Sequence, residues 1–282
     1  MRPFSIYHTH LELFQQAEKM LLEKIREVIE PDIVYLLGAT LKRNRTESIF
    51  SGCSPSVQFL DHLYFLVIIP ESLNRPLHEW QEMIEQACSS VVETVVIVVT
   101  TKQFFQWLTN GNRFARIVEE MAIKIMVRPG MEIPCPGTHN EEQENKEITE
   151  LRERGKYMAF EFLAGADVYI ARQNWNLAAF MLHQALEQAL TTLLYIKTGY
   201  EQKTHNLKRL IKYVLLFDEG LRPNLANSSW LQVDKMGSIN EIYFNTRYSM
   251  DIRLNEAYVN DFKKVVYCII ENSNYSFKLS AF

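Results

Sequence analysis

The sequence predicts an α/β or α+β domain around a small mixed sheet, followed by an all-α up-and-down helical bundle. Three observations lead there. Short β-branched and aromatic runs alternate with helical stretches through the first half of the chain. The segment "CPGTHNEEQENKEITE", residues 135–150, holds Pro, Gly, Asn and five acidic residues with almost nothing apolar, which is the composition of a solvated connection. Beyond it, only helical periods of apolar residues occur. The boundaries read from this are 1–136 for the first domain, 137–147 for an acidic linker and 148–282 for the bundle.

The elements follow in order. Leu11, Phe14, Ala17, Met20, Leu21, Ile25, Val28 and Ile29 recur at helical spacing, with Thr9 and Glu12 placed as a capping box, so a helix runs to about Glu30. "DIVYLLG" (32–38), "HLYFLVIIP" (62–70) and "VVETVVIVVT" (91–100) read as buried strands. Helices are expected at roughly 76–88, 102–109 and 112–121, and "IKIMVRP" as an edge strand. Downstream, helices are expected at about 147–173, 174–199, 206–218, 232–247 and 254–272. In the second of these Ala178, Met181, Leu182, Ala185, Leu186, Ala189, Leu190 and Leu193 form one apolar stripe.

Composition narrows the function. The chain has 282 residues, 47% apolar and 23% charged, with a formal net charge of −4. That suits a globular protein with a sizeable core. The opening residues meet polar side chains too early for a signal peptide, and no run reaches the roughly 20 apolar residues of a membrane span. A cytoplasmic address with no membrane partner is the expectation. Residues 151–282 carry 16 Lys and Arg against 13 Asp and Glu, too small an excess for a dedicated nucleic-acid surface but enough for a local phosphate site. Cys53, Cys88, Cys135 and Cys268 are far apart and lack histidines at ligand spacing, so they read as reduced and structural. "KRNR", residues 42–45, is either a solvated loop or a phosphate-facing one. His183 and Glu187 lie four apart on one helical face with no third ligand in view, which reads as packing rather than half a metal site.

In residues 175–213, Gln184, Ala185, Glu187 and Ala189 are followed by Thr204, His205 and Leu207; further on come Tyr243, Arg247 and Tyr248, with Ser249 in the next position. Order and spacing resemble the HEPN domain, with its Gln-Ala-x-Glu-x-Ala core, its Thr-His-x-Leu and its Tyr-x-x-x-Arg-Tyr-Pro stretch. The resemblance implies a homodimer formed through the bundle and a groove lined by Gln184, Glu187, His205, Tyr243, Arg247 and Tyr248. Many such domains are RNases that use an Arg and a His a few residues on. Here no histidine follows Arg247, and an arginine alone holds phosphate without serving as a base. RNA cleavage through Arg247 is therefore not expected. Thr204 and His205 read as a capping and packing element.

HEPN domains often accompany a minimal nucleotidyltransferase, and the first domain is similar to one in outline. The resemblance places Gly38 and Ala39 in that family's Gly-Ser position, with Thr40 and Arg43 beside them, as nucleotide-binding candidates. It places His62 and Tyr64 where Asp-x-Asp would hold two Mg²⁺ ions, with Asp61 just before and Glu93 in the third acid position. The expectation is a degenerate nucleotidyltransferase–HEPN protein acting as a nucleotide- or nucleic-acid-binding regulatory module with no cofactor. An active transferase using Asp61 and Glu93, which alone would need Mg²⁺, and a ribonuclease of toxin–antitoxin type using Arg247 with His205 are the alternatives.

Overall fold

The computed structural model describes residues 11–44, 47–48, 52–53, 57–71, 74–202, 204–218, 221 and 254–272. The backbone alone is described at 11–16, 41–44, 47–48, 52–53 and 57–61. The chain divides into two compact units, Met1–His139 and Asn140–Phe282.

The first unit contains α1 (Leu11–Val28), β1 (Ile33–Asn44), the short pair β2 (Glu47–Ser48) and β3 (Gly52–Cys53), β4 (Val57–Ile69), α2 (Leu77–Cys88), β5 (Glu93–Thr100), α3 (Thr101–Thr109), α4 (Arg113–Met121) and β6 (Ile123–Val127). Its sheet has the order β5-β4-β1-β6 and is mixed. β1 runs antiparallel to β4 and β6, whereas β5 is parallel to β4. Alternation along the strands explains why both faces are dry. Val34, Leu36, Leu63, Phe65, Val67, Val96 and Val98 pack with Leu21 and Ile25 of α1 and Ile84 and Cys88 of α2. On the opposite face Tyr35 meets Phe104 of α3 at 5.7 Å between ring centroids and donates its hydroxyl to Glu119 of α4 at 2.6 Å. The predicted edge strand is β6.

The outer edge of β5 is capped by α2. Gln81 Nε2 donates to the Val96 carbonyl at 2.5 Å, and Glu85 Oε1 accepts from the Val96 amide at 3.1 Å. These bonds satisfy backbone groups that would otherwise recruit another strand. Asp32, at the start of β1, is 3% exposed. Its carboxylate pairs with Arg128 at 2.7 Å and accepts the Thr101 hydroxyl, joining the ends of β1 and β6 to the start of α3.

Two expectations change here. β1 continues past residue 38 to Asn44 in ladder with β4, so Lys42 and Arg43 occupy strand positions opposite Phe59 and Gln58 rather than a loop. The pairing with the long β4 carries the extended backbone past the glycine. The acidic stretch 141–147 is helical rather than a linker, because Asn140 caps the following helix by accepting from the amides of Glu142 and Gln143 at 3.0 and 3.2 Å. Glu141, Glu142 and Glu144 then fall in the first turn, where the helix dipole favours acids.

The second unit contains α5 (Glu141–Ala171), α6 (Trp175–Thr198), α7 (Leu207–Leu215) and α8 (Glu256–Asn272). α6 packs against α5, α7 and α8. The whole predicted stripe except Met181 is buried, so it is consumed inside the protomer. α5 and α6 come close at Gly155, where an added Cβ would overlap Thr192. Gly199, at φ +73°, ends α6 in the left-handed region, with its amide bonded to Tyr195 O at 2.7 Å. Among the described residues no helix is long and apolar enough to cross a membrane. The helix expected at 232–247 and the capping Thr9 lie outside the described residues.

Candidate functional site

Two places gather chemistry-bearing residues, one in each unit. In the α/β unit the strand register aligns two rows across three strands. One is Gly38–Tyr64–Val95 and the other Thr40–His62–Glu93. Because residues two apart on a strand share a face, Gly38, Thr40, His62, Tyr64 and Glu93 lie on one side of the sheet. The ladder between β1 and β4 is interrupted on both flanks of Gly38–Thr40, between Leu36 and Gly38 and between Thr40 and Leu41. Bulges of this kind re-aim strands next to functional sites.

The rows bring sequence candidates together while changing their chemistry. Tyr64 is 2% exposed, and its ring centroid lies 6.3 Å from that of His62. Thr40 is buried, and its hydroxyl oxygen has no hydrogen-bond partner among the described residues. Glu93 is exposed at the first position of β5, directly beside His62. It is the one carboxylate on these two rows. Asp61 falls in the second interruption: His62 pairs with Thr40 and Leu60 with Leu41, which leaves Asp61 without a partner position in β1. Ala39 pairs with Leu63 on the opposite side from Thr40.

In the helical unit, Glu187 is the centre of a polar cluster built by α6 and the approach to α7. Its Oε1 lies 2.8 Å from His205 Nδ1. Its Oε2 accepts from Gln184 Nε2 at 3.4 Å and lies 3.6 Å from His183 Nδ1. Helical spacing puts His183, Gln184 and Glu187 on neighbouring positions of one face, and the turn after Gly199 returns the chain so that His205 reaches them. Burial raises the Glu187 pKa, opposed by the hydrogen bond and charge of His205 and by the Gln184 hydrogen bond. His183 is fully buried and pushed down to about 4, first by burial and then by the charge of His205, although a hydrogen bond with the His205 backbone acts the other way.

His205 does not cap α7. Asn206 does so, accepting the Arg209 amide at 3.1 Å, while Thr204 accepts the Asn206 amide at 3.2 Å. Asn is simply the better-placed acceptor for the first turn, and the His205 side chain is left 57% exposed on its carboxylate. His183 and Glu187, read from spacing as packing, prove to be part of a three-residue cluster. The signal that could have revealed it is the pairing of that spacing with His205 in the next helix approach. Among the described residues no group of three or more His, Cys, Asp and Glu side chains is arranged to hold a metal ion. Tyr243, Arg247 and Tyr248 lie outside the described residues, as does the side chain of Arg43.

Residues 153–271 match the HEPN domain family, within the helical unit. No curated protein matches the chain. Among solved structures, the chain is similar to a nucleotidyltransferase-like protein from Exiguobacterium sibiricum, at 13% identity and a TM-score of 0.25, over 92% of this chain and 75% of that one.

Proposed function

We propose that this chain is a nucleotide- or RNA-binding regulatory protein: a nucleotidyltransferase-like α/β unit without two-metal transfer chemistry, joined to a HEPN domain that binds RNA. The observation that carries the first half is the row Thr40–His62–Glu93 beside Gly38–Tyr64, which offers one carboxylate where a two-metal site needs at least a convergent pair. Imidazole, phenol and hydroxyl groups suit a nucleotide bound by hydrogen bonds. The second half rests on the HEPN match over 153–271.

Titration calorimetry with ATP tests the metal question. Nucleotide affinity is expected to be the same with and without Mg²⁺ or Mn²⁺. An increase with metal that disappears in Asp61→Ala would restore a metal-dependent transferase built on Asp61 and Glu93.

A second copy of the chain is the other expected partner. Because the α6 stripe is already covered, the surface available to it among the described residues of the helical unit is the apolar side chains left outside: Tyr157 and Val168 of α5, at 62% and 56% exposed, and Tyr267 of α8, at 51%. Light scattering at micromolar concentration should give twice the 33.1 kDa chain mass. A monomer mass throughout would remove this partner.

A further inference from the structure

The β1–β4 ladder outruns the sheet that contains it. β6 pairs with β1 over Ile33–Leu36, and β5 joins β4 from His62 onward, whereas β1 and β4 stay paired out to Asn44 and Val57. Among the described residues, β1 from Gly38 to Asn44 therefore has a ladder partner on one side only, along about 20 Å of strand. Alternate residues of such an edge present an N–H donor and a C=O acceptor outward. The open stretch begins at the ladder interruption between Leu36 and Gly38, where bulges re-aim a strand. The other edges of this sheet are handled differently. Gln81 and Glu85 of α2 occupy the β5 edge at Val96, and β6 is a short strand with Lys124 inside it.

What this edge accepts follows from its chemistry. A phosphodiester chain offers acceptors alone and leaves the outward carbonyls unmatched, whereas an extended peptide offers both groups in the required alternation. Lys42 and Arg43 stand on the open stretch, and as consecutive strand residues they belong to opposite faces of the ribbon. A strand laid alongside thus has one cation on each of its faces. Two copies of this edge paired at Lys42 and Arg43 would set like charges opposite each other, and the β4 edge from Val57 to Asp61 carries an acid and no cation. Two strands standing alone are marginal in water, and a third stabilises them. We propose that β1 from Gly38 to Asn44 is a strand-addition site for an extended acidic segment of a partner protein, docked by main-chain hydrogen bonds and selected by Lys42 and Arg43. The site is separate from the nucleotide reading, because it uses the strand edge rather than the face that carries the two rows.

The test uses the full chain and a fluorescent octapeptide of alternating Glu and Val, followed by anisotropy and by amide exchange. The acidic peptide is expected to bind and to slow exchange at residues 38–44, and its Lys–Val counterpart is expected not to bind. Methylating every backbone nitrogen of the acidic peptide keeps its charge and removes its donors, so affinity should fall by about 10-fold or more as several hydrogen bonds are lost together. Lys42→Glu combined with Arg43→Glu should weaken the acidic peptide by about 10-fold or more and admit the Lys–Val peptide instead. Unchanged exchange protection of residues 65–68 shows that the sheet of this variant is intact; where it is not, the methylated peptide decides. No binding of the acidic peptide, equal binding after methylation, or equal binding by the intact doubly substituted chain overturns the proposal. A single-stranded RNA that displaces the peptide and protects residues 38–44 more strongly makes the stretch a polyanion surface and overturns it as well.

Discussion

Asp32 in the α/β unit and Glu187 in the helical unit are both carboxylates drawn into the protein, with side chains 4% and 16% exposed. Their partners separate them. Asp32 is closed in by Arg128, the Thr101 hydroxyl and the β1–β4 backbone, all of which serve to fix strand ends. Glu187 has one buried neighbour, His183, and one exposed ring, His205. A buried charge whose donors are all anchored holds a fold together. A buried charge whose donor faces water can pass its influence to a ligand. The α/β unit has thus put its buried carboxylate Asp32 into architecture, while Glu93 is the one acid on the two strand rows.

The largest effect should come from removing Asp32. Asp32→Ala leaves Arg128 without its counter-charge and deletes the tie between β1, β6 and α3. Because Arg128 is 41% exposed and can return to water, the cost is that of the lost charge-assisted hydrogen bonds, about 2–4 kcal/mol. Urea unfolding followed by hydrogen exchange should show the loss in the α/β unit while α6 amides keep their protection. A loss below about 1 kcal/mol would erase the contrast with Glu187.

The next effect sharpens the other side. His183 has a folded pKa of about 4 against an ordinary 6.5, so below pH 6.5 the unfolded chain takes a proton that the folded chain refuses until about pH 4. Stability from this group is complete above pH 6.5 and lost as pH falls from 6.5 toward 4, by up to about 3 kcal/mol. Exchange protection of α6 measured across that window should fall steadily in wild type. His183→Leu should be much flatter, and an equal slope in the two proteins would show that the acid sensitivity lies elsewhere.

How much of this was legible in the sequence differs between the units. The sheet strands were readable because β4, β5 and the start of β1 are buried on both faces and so appear as unbroken apolar runs, whereas the extension of β1 through Lys42 and Arg43 depends on its pairing with β4. The start of α5 was misread because acids signal both a solvated linker and a helix N-terminus, and the deciding feature is one asparagine, Asn140. At the sites, Gln184, Glu187 and His205 came from the resemblance to the HEPN motifs, and the rows placing His62 opposite Thr40 and Glu93 needed the register. Asp32 carried no signal at all, since Arg128 and Thr101 lie 96 and 69 residues away.

The smallest effect decides whether His205 serves the fold or a ligand. As a cap or packing residue its removal would cost about 1 kcal/mol or more, as losing an N-cap does. The α7 cap is Asn206, however, and the His205 ring is 57% exposed, so its bond to Glu187 is screened by water on one side. Exposed pairs of this kind contribute about 0.2–1 kcal/mol. His205→Ala should therefore lower stability at pH 7 by about 0.5 kcal/mol, read by urea unfolding followed through α6 exchange, whereas Asn206→Ala should cost roughly twice that through the lost cap. The ordering is the informative result. If His205→Ala proves the more damaging of the two, the cluster around Glu187 is a tether for the approach to α7, and the two buried carboxylates belong to one structural class.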